Sequence, residues 1–172
     1  QERTDVKFFL QRLTEKVTVH ILPGNHDGTI ERLAPPAVRI HPSSGLILGD
    51  IGLLHGHRWP SLELFTCPLL IVAHTHPTIL FTDRMGYKSY EPCWLRGPCL
   101  PKKLLEKTPH GACQQLIVMP AFNPLCGGIA VNTEPLLGPV VSLLDLPQTD
   151  VYLLDGTALG KIADLPESNN LI

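Results

Sequence analysis

The spacing of apolar residues changes along the chain and predicts the order of its elements. Residues 4–16 place apolar side chains three and four positions apart, which predicts an amphipathic helix. Residues 17–22 are mostly β-branched and apolar, which predicts a short buried strand. Residues 28–33 predict one helical turn that ends at the prolines that follow. A helix followed by a strand indicates an α/β fold.

The rest of the chain consists of short apolar runs separated by turns. Gly49 and Asp50 lie between two such runs, and a two-residue spacer beginning with glycine predicts a hairpin. Residues 61–67 predict a short helix between prolines, and residues 87–101 predict irregular chain. Further short strands are predicted at 37–40, 69–73, 78–82 and 116–119, and a last hairpin within 151–163.

Composition limits the class of protein. The 172 residues are 44% hydrophobic and 17% charged, which is typical of one globular domain. The net charge of -2 and the lack of a basic run exclude the electrostatic footprint of a dedicated nucleic-acid binder. Without a long apolar run or a signal peptide, we expect a cytoplasmic protein that makes no membrane contact. The five cysteines, irregularly spaced, are expected to be reduced thiols.

Five of the eight histidines lie in three clusters, each at the end of an apolar run. The clusters are Asn25-His26, His55-Gly56-His57 and His74-Thr75-His76. Side chains i and i+2 of an extended strand point the same way, so His74 and His76 are expected to reach two adjacent metals. Two metals ~3.5–4 Å apart can activate water and clamp a phosphoryl oxygen. Nitrogen and oxygen ligands together suit manganese, iron, zinc or nickel rather than calcium.

Each cluster alone also has an ordinary explanation. A Gly-Asn pair after a strand can be a plain turn, and single histidine motifs are weak signals. The joint occurrence of the three clusters, in this order, is what predicts a metal site. His20, His41 and His110 lack this context and are expected in the core or on the surface. Gly49-Asp50 resembles a metal-binding pair, but its position between apolar runs favours a turn.

The ordered clusters resemble the motifs of the calcineurin-like metallophosphoesterase superfamily. Its Gly-Asn-His-Asp motif is at residues 24–27, its lone histidine at His55, and its Gly-His-x-His motif at 73–76, where Ala73 replaces the first glycine. The later chain is similar to archaeal SbcD-related phosphoesterases. The matching stretches are 55–60, 74–77, 92–97, 119–124, 127–132 and 154–156.

The resemblance implies a metallophosphoesterase-type β-sandwich flanked by helices, in one domain over residues 1–172. It implies a centre of two divalent metal ions, manganese first, with iron, zinc or nickel as alternatives. Asn25, His55 and His74 would hold the second metal, and His76 the first.

Other residues near the motifs have roles implied by the same resemblance. His26 corresponds to the family's catalytic histidine, which contacts the phosphate and helps the leaving group depart. Asp27 is expected either to support a metal ligand from behind or to fix the loop. His57, Arg58 and Trp59 are expected beside the site, where loop packing is a commoner use than substrate contact.

Two motifs of the family, Asp-x-His and Gly-Asp, are missing. Only 23 residues precede Gly24, and their one aspartate, Asp5, lies in a different context. We therefore expect the C-terminal portion of a longer enzyme, lacking its first strands and its bridging carboxylate. Such a chain should be a poor catalyst by itself. It should also have an unpaired sheet edge beside residues 17–22.

The function implied is metal-dependent hydrolysis of phosphomonoesters or phosphodiesters, nucleic acid included, and by family analogy a helicase or ATPase partner. The alternative is a non-catalytic binding or scaffold module with a degenerate metal site. A third interpretation is a mononuclear zinc protein that uses Asn25, His55 and His74. Residues 119–132 are either a lid over the site or a packed loop.

Overall fold

The first forty residues form a small unit of helix and paired strands. A computed structural model describes residues 2–165. Helix α1 (Glu2–Thr14) confirms the predicted first helix, and β1 (His20–Ile21) pairs in parallel with β2 (Arg39–Ile40). Between these strands lies the short helix α2 (Ile30–Leu33), as predicted.

The predicted buried strand over residues 17–22 is wrong in length and in burial. Only two of its residues pair, and the side chain of Val17 is 57% exposed. Strand β2 is the one strand neighbour of β1 within residues 2–165. A two-stranded sheet cannot bury both faces of a strand, which explains the exposure.

The second unit is a mixed sheet of nine strands in the described residues. Seven follow the order β11-β10-β7-β8-β5-β4-β3, while β6 pairs with β7 and β9. The strands are β3 (Leu46–Leu48), β4 (Ile51–Leu54), β5 (Leu69–Val72), β6 (Pro77–Thr82), β7 (Lys88–Pro98), β8 (Gln115–Val118), β9 (Ile129–Ala130), β10 (Asp150–Leu153) and β11 (Ala158–Lys161). Strands with few helices confirm a mixed α/β fold.

Both predicted hairpins are confirmed. Leu48 lies opposite Ile51, so Gly49 and Asp50 form the two-residue turn, and Gly49 has the positive φ of 59° that such turns favour at their first position. Strands β10 and β11 form the last hairpin, with a register shift after Val151.

Residues 87–101, predicted to be irregular, instead contain the longest strand of the sheet. Strand β7 pairs antiparallel with β6 through its first half and with β8 and β10 through its second half. It therefore joins the peripheral β6–β9 pair to the centre of the sheet. The prediction was wrong because prolines and a glycine within the strand resemble loop composition.

Helices are few and short outside α1. The predicted helix over residues 61–67 is confirmed as the 3-10 helix Leu62–Thr66. Helix α3 (Pro101–Lys107), which begins with proline in its first turn, was not predicted. Further 3-10 helices span Val140–Leu143, Leu146–Gln148 and Ile162–Asp164. Within residues 2–165, no helix is long and apolar enough to span a membrane.

The hydrophobic core lies against the central strands. Alternate residues of β4, β5 and β8 are fully buried, among them Leu70 and Leu116, as the period of two in a strand requires. Leu95 of β7 and Phe65 of the first 3-10 helix pack into the same cluster. This packing fixes the parallel strands whose ends carry the histidine clusters.

Candidate metal centre

The histidine clusters lie where parallel strands end side by side. Strands β4 and β5 are parallel neighbours, and Leu54 pairs with Val72 at their last residues. His55 follows directly after the first strand, and His74 follows two residues after the second. The amide nitrogen of Ala73 donates to the carbonyl oxygen of His55 at 3.0 Å, which ties the two strand ends together.

Three atoms that carry lone pairs converge at these strand ends. The Nε2 atom of His55 lies 3.1 Å from Oδ1 of Asn25 and 3.2 Å from Nδ1 of His74. Two atoms bound to one metal ion at ~2.1 Å, with bonds ~90–110° apart, are separated by ~3.0–3.4 Å. The spacing of this Asn25–His55–His74 trio therefore fits the ligands of a single divalent ion.

The environment keeps the two imidazoles of the trio neutral. Burial is the largest cause that lowers the pKa of His55, followed by the charges of His74 and His57, while Asp27 raises it. Burial also lowers the pKa of His74, assisted first by His57. A neutral imidazole keeps the lone pair that a metal needs, so these shifts favour metal binding near neutral pH.

The backbone at His74 and His76 is left-handed rather than extended. Their φ angles are 67° and 50°, and they are the two non-glycine residues with positive φ in the described chain. The i and i+2 argument from extended geometry is therefore wrong as a reason for their placement. Such strained positions cost about 1–3 kcal/mol each and cluster at functional sites.

The residue between them holds this strained turn in place. Thr75 is 4% exposed, and its hydroxyl donates to the carbonyl of Leu137 at 3.0 Å. Its amide nitrogen donates to the carbonyl of Ala73 at 2.7 Å. No local sequence pattern predicts the contact with Leu137, because that residue is distant along the chain.

His76 points toward a different partner from the trio. Its Nδ1 atom lies 3.2 Å from the carbonyl oxygen of Gly127, to which it donates. This bond leaves Nε2 with the free lone pair, and a backbone carbonyl behind an imidazole is a common arrangement in metal sites. The charge of His76 also lowers the pKa values of His55 and His74, which places it near the trio.

The turn that carries Asn25 also carries His26 at the protein surface. The amide of Gly24 donates to Oδ2 of Asp27 at 2.8 Å, which confirms the expected loop-fixing role of that carboxylate. His26 is exposed, and its charge contributes to the lowered pKa of His74. Its imidazole therefore lies at the open side of the trio.

His57 belongs to the same group of imidazoles. Its ring centre is 5.3 Å from that of His55 and 6.1 Å from that of His74. Burial is the largest cause that lowers the pKa of His57, and the charge of Arg58 lowers it further. Its Nδ1 is buried without a hydrogen-bond partner, so a polar atom of this cluster is left unsatisfied.

His20 and His41 contact each other rather than the trio. His20 and His41 stack on each other across β1 and β2, with ring centres 4.9 Å apart. His20 is exposed and His41 is half-buried, so both lie at the surface of the first unit.

Two cavities flank the predicted site residues. One of about 390 Å³ lies beside Asn25 and is lined by Glu31, His57 and Arg58, among others. The other, of about 550 Å³, is lined by His76, Tyr90 and three prolines, together with residues of the segment 121–128. One cavity therefore adjoins Asn25 and His57, and the other adjoins His76.

The donor set is limited in the part of the chain described. No group of three histidine, cysteine, aspartate or glutamate side chains within residues 2–165 is arranged to hold a metal ion. The trio contains two histidines, and its third donor is the amide oxygen of Asn25, a residue outside those four types. Two nitrogens and an oxygen suit manganese, iron, zinc or nickel.

Comparison with known proteins gives distant similarity. No protein-family model matches the chain, and no curated protein matches it. Among solved structures, nuclease MPE of Pseudomonas putida is similar, with 19% identity and a TM-score of 0.48. The match covers 87% of this chain and 56% of the nuclease, so this chain spans about half of that protein's length.

Proposed function

We propose that this chain is a metal-dependent phosphoesterase that hydrolyses phosphomonoesters or phosphodiesters, with a fold of the metallophosphoesterase type. The observation that carries the proposal is the convergence of Asn25, His55 and His74 at distances of 3.1 and 3.2 Å. A cation bound by these atoms would account for their short separations, because neutral imidazoles offer it their lone pairs. The left-handed backbone at His74 supports the same conclusion.

The proposed centre holds two divalent ions, with manganese as the first choice. Asn25, His55 and His74 would bind one ion, and Nε2 of His76 would contribute to the other. When bound, such ions supply a water of lowered pKa and neutralise charge on the phosphoryl oxygens. The protein's part is to hold its donor atoms in fixed positions, which the strand ends and the bond from His76 to Gly127 do.

His26 is the proposed catalytic histidine. It follows a proposed ligand directly, and it lies exposed at the open side of the trio. A ring nitrogen of His26 would donate a hydrogen bond to a phosphoryl oxygen and a proton to the leaving oxygen. The turn closed by Asp27 holds the histidine in place for this role.

The substrate class follows from the flanking cavities and the charge. The cavity beside His76 is lined by Tyr90 and prolines, which suit the organic part of an ester. Nucleic acid belongs to this proposed class, since the metal centre itself supplies the positive charge that phosphates need. A helicase or ATPase partner, a cytoplasmic location and a single domain remain parts of the proposal.

A binding or scaffold module is the second candidate. It is favoured by the absence, within residues 2–165, of a hydrogen bond between a carboxylate and any donor atom of the trio. A centre without a carboxylate bridge would bind metal and phosphate yet turn over slowly. Binding without turnover distinguishes this candidate from the enzyme.

The test combines metal binding with hydrolysis. The chain is loaded with Mn²⁺, freed of excess and analysed for metal content, and hydrolysis of bis-p-nitrophenyl phosphate is followed. His55→Ala is expected to lose bound manganese, and His26→Ala to keep it while losing at least 10²-fold in rate. The matched control is His110→Ala, an exposed histidine outside the cluster.

The outcomes separate the candidates. Manganese retained equally by His55→Ala and His110→Ala would contradict the metal site itself. Bound manganese without hydrolysis in the wild-type chain would favour the binding module. Hydrolysis that survives His26→Ala unchanged would remove the catalytic role of that histidine.

A further inference from the structure

Two buried thiols meet away from the metal centre. The Sγ atoms of Cys99 and Cys113 lie 2.6 Å apart, and the two residues are 5% and 6% exposed. This separation is shorter than an ordinary van der Waals contact of ~3.5–4.0 Å between carbon atoms. A disulfide requires ~2.05 Å between sulfurs, so a small movement would bring the pair to bonding distance.

The backbone holds both residues at this meeting point. The amide of Cys99 donates to the carbonyl of Gln114, the residue after Cys113, at 2.9 Å. The amide of Cys113 donates to the carbonyl of Phe65 at 3.2 Å. Pro98 and Gln115 are register partners of β7 and β8, so the two cysteines flank the end of one ladder. The sheet therefore holds the backbones of the two cysteines side by side.

The two sulfurs are chemically unequal. A hydrogen bond in which either thiol can be the donor joins the two sulfurs, and it raises the pKa of Cys99 and lowers that of Cys113. Burial raises the pKa of Cys99 further. Because the thiolate is the reacting form, the lowered pKa of Cys113 favours this residue as the nucleophile of the pair.

We propose that Cys99 and Cys113 are a redox pair that closes to an intramolecular disulfide when a small dialkyl disulfide oxidises it. The Cys113 thiolate attacks one sulfur of the reagent, whose S–S bond breaks and releases one small thiolate. That thiolate takes the proton of Cys99, and Sγ of Cys99 then attacks Sγ of Cys113. The second small thiolate leaves and gains the proton that Cys113 gave up to the solvent, so two protein thiols are oxidised and the reagent is reduced to two thiols.

The disulfide would close a covalent loop around helix α3. That loop carries Lys107, whose Nζ lies 4.4 Å from the ring centre of Trp59. Trp59 comes two residues after His57, so the loop is in contact with the chain beside the metal centre. Closing a loop of about 15 residues restricts the unfolded chain and is expected to raise Tm by about 5–10 °C.

The experiment uses the full chain with Cys126→Ser, which removes the one exposed thiol among the five cysteines. The protein is treated with hydroxyethyl disulfide, quenched with acid, then alkylated with iodoacetamide in denaturant and analysed by mass spectrometry. We expect two unalkylated cysteines, a peptide that links Cys99 to Cys113, and a Tm higher than that of the reduced protein.

Matched variants identify the pair. Cys99→Ser is expected to abolish the linked peptide and the rise in Tm, while Cys93→Ser, at an equally buried cysteine, is expected to keep both. Full alkylation of the treated protein would overturn the proposal, as would a linkage of Cys113 to Cys67 instead. A linked pair with an unchanged Tm would contradict the claim that closing the α3 loop stabilises the protein.

Discussion

At the residue scale, Gly24 leaves the space that the imidazole of His55 occupies. A Cβ atom at this position would lie 2.8 Å from Cε1 and 2.9 Å from Nε2 of His55, too close for either atom to stay. Gly24→Ala should therefore push Nε2 away from Asn25 and His74. We expect Mn²⁺ affinity to fall about 10–100-fold, the range typical of lost support for a ligand, as measured by calorimetric titration.

Gly28 provides the matched control for this substitution. It lies in the same loop, but a Cβ atom there would meet nothing within 4 Å. Gly28→Ala should keep the affinity of the wild-type chain and the same Tm. Equal loss of affinity in both variants would mean that the loop as a whole, and not the contact with His55, determines binding.

The sequence indicates which residues meet at the strand ends better than it indicates their geometry. The ends of the apolar runs mark the clusters, the family resemblance implies Asn25, His55 and His74 as ligands, and the structure brings atoms of these three residues close together. The extended backbone assumed for His74 and His76 was wrong, because histidine rarely adopts positive φ without tertiary support. That support comes from residues such as Leu137 and Gly127, which no local pattern connects to the histidines.

At the element scale, β7 shows why composition misled the prediction. Along β7, Pro92 is the last residue that pairs with β6, and Cys93 is the first that pairs with β10. The proline therefore lies where the strand changes neighbours. Pro98 lies at the end of the ladder with β8. A residue without an N–H is tolerated at such positions, whereas in a central ladder it removes a hydrogen bond. Only the sheet order reveals this distinction.

Gly97 fits β7 against the buried segment that precedes β10. A Cβ atom there would overlap the side chain of Thr149, which is fully buried, and would lie 3.0 Å from Cδ1 of Leu144. We expect Gly97→Ala to lower the free energy of unfolding by about 1–3 kcal/mol, as overpacking does. Urea unfolding would measure this loss. Gly127→Ala, where a Cβ meets nothing within 4 Å, should change it little, and equal losses would contradict the packing argument.

The pairing of β1 with β2 brings two histidines into contact. Nδ1 of His20 lies 2.7 Å from Nε2 of His41, a hydrogen bond that needs one ring nitrogen without its proton. Burial lowers the pKa of His41 below 6.5, followed by the charges of His20 and Arg39. The unfolded chain then binds the proton more readily than the folded chain. The contribution of neutral His41 to the free energy of unfolding is therefore fully present above pH 6.5. It is lost as the pH falls through the folded pKa of His41.

His41→Gln should reduce this pH dependence. The variant keeps the backbone bond from residue 41 to the carbonyl of Ile21 but has no titrating ring. We expect its Tm to fall less than that of the wild-type chain between about pH 7.5 and 5.5, with His55, His57 and His74 causing the remaining decline. His110→Gln should behave as the wild type, and a His41→Gln profile identical to both would contradict the assignment.

At the scale of the whole molecule, the chain consists of two units of unequal packing. The main hydrophobic cluster begins at Leu54 and includes no residue of α1, β1 or β2 among those described. Leu10 and Val38 are buried in the first unit, but outside that cluster. The sequence predicted the α/β class and most strands, because apolar periodicity is local. It could not predict that the first unit lies outside the main hydrophobic cluster. Which cluster an apolar run joins depends on which strands pair.

The Asn25–His55–His74 trio spans the two units, so the proposed metal ion would link them. Asn25 belongs to the first unit, while His55 and His74 follow strands of the main sheet. The first unit has the lesser packing, so its amides should exchange with solvent faster than those of β5 and β8. An ion bound by all three residues stabilises only conformations in which the units are docked. Bound Mn²⁺ should therefore slow exchange in residues 19–41 by about 10-fold or more at 100 times its Kd, as followed by hydrogen–deuterium exchange with mass spectrometry.

Asn25→Ala is the decisive variant for this coupling. It leaves both histidines on the main sheet, so residual manganese bound there would no longer join the units. The expected result is protection by Mn²⁺ around His55 and His74 without protection of residues 19–41. His110→Ala should show the wild-type pattern. If manganese protected the first unit equally in Asn25→Ala, the link would have to come from packing or from another ligand, and Asn25 would not be the residue through which the ion joins the two units.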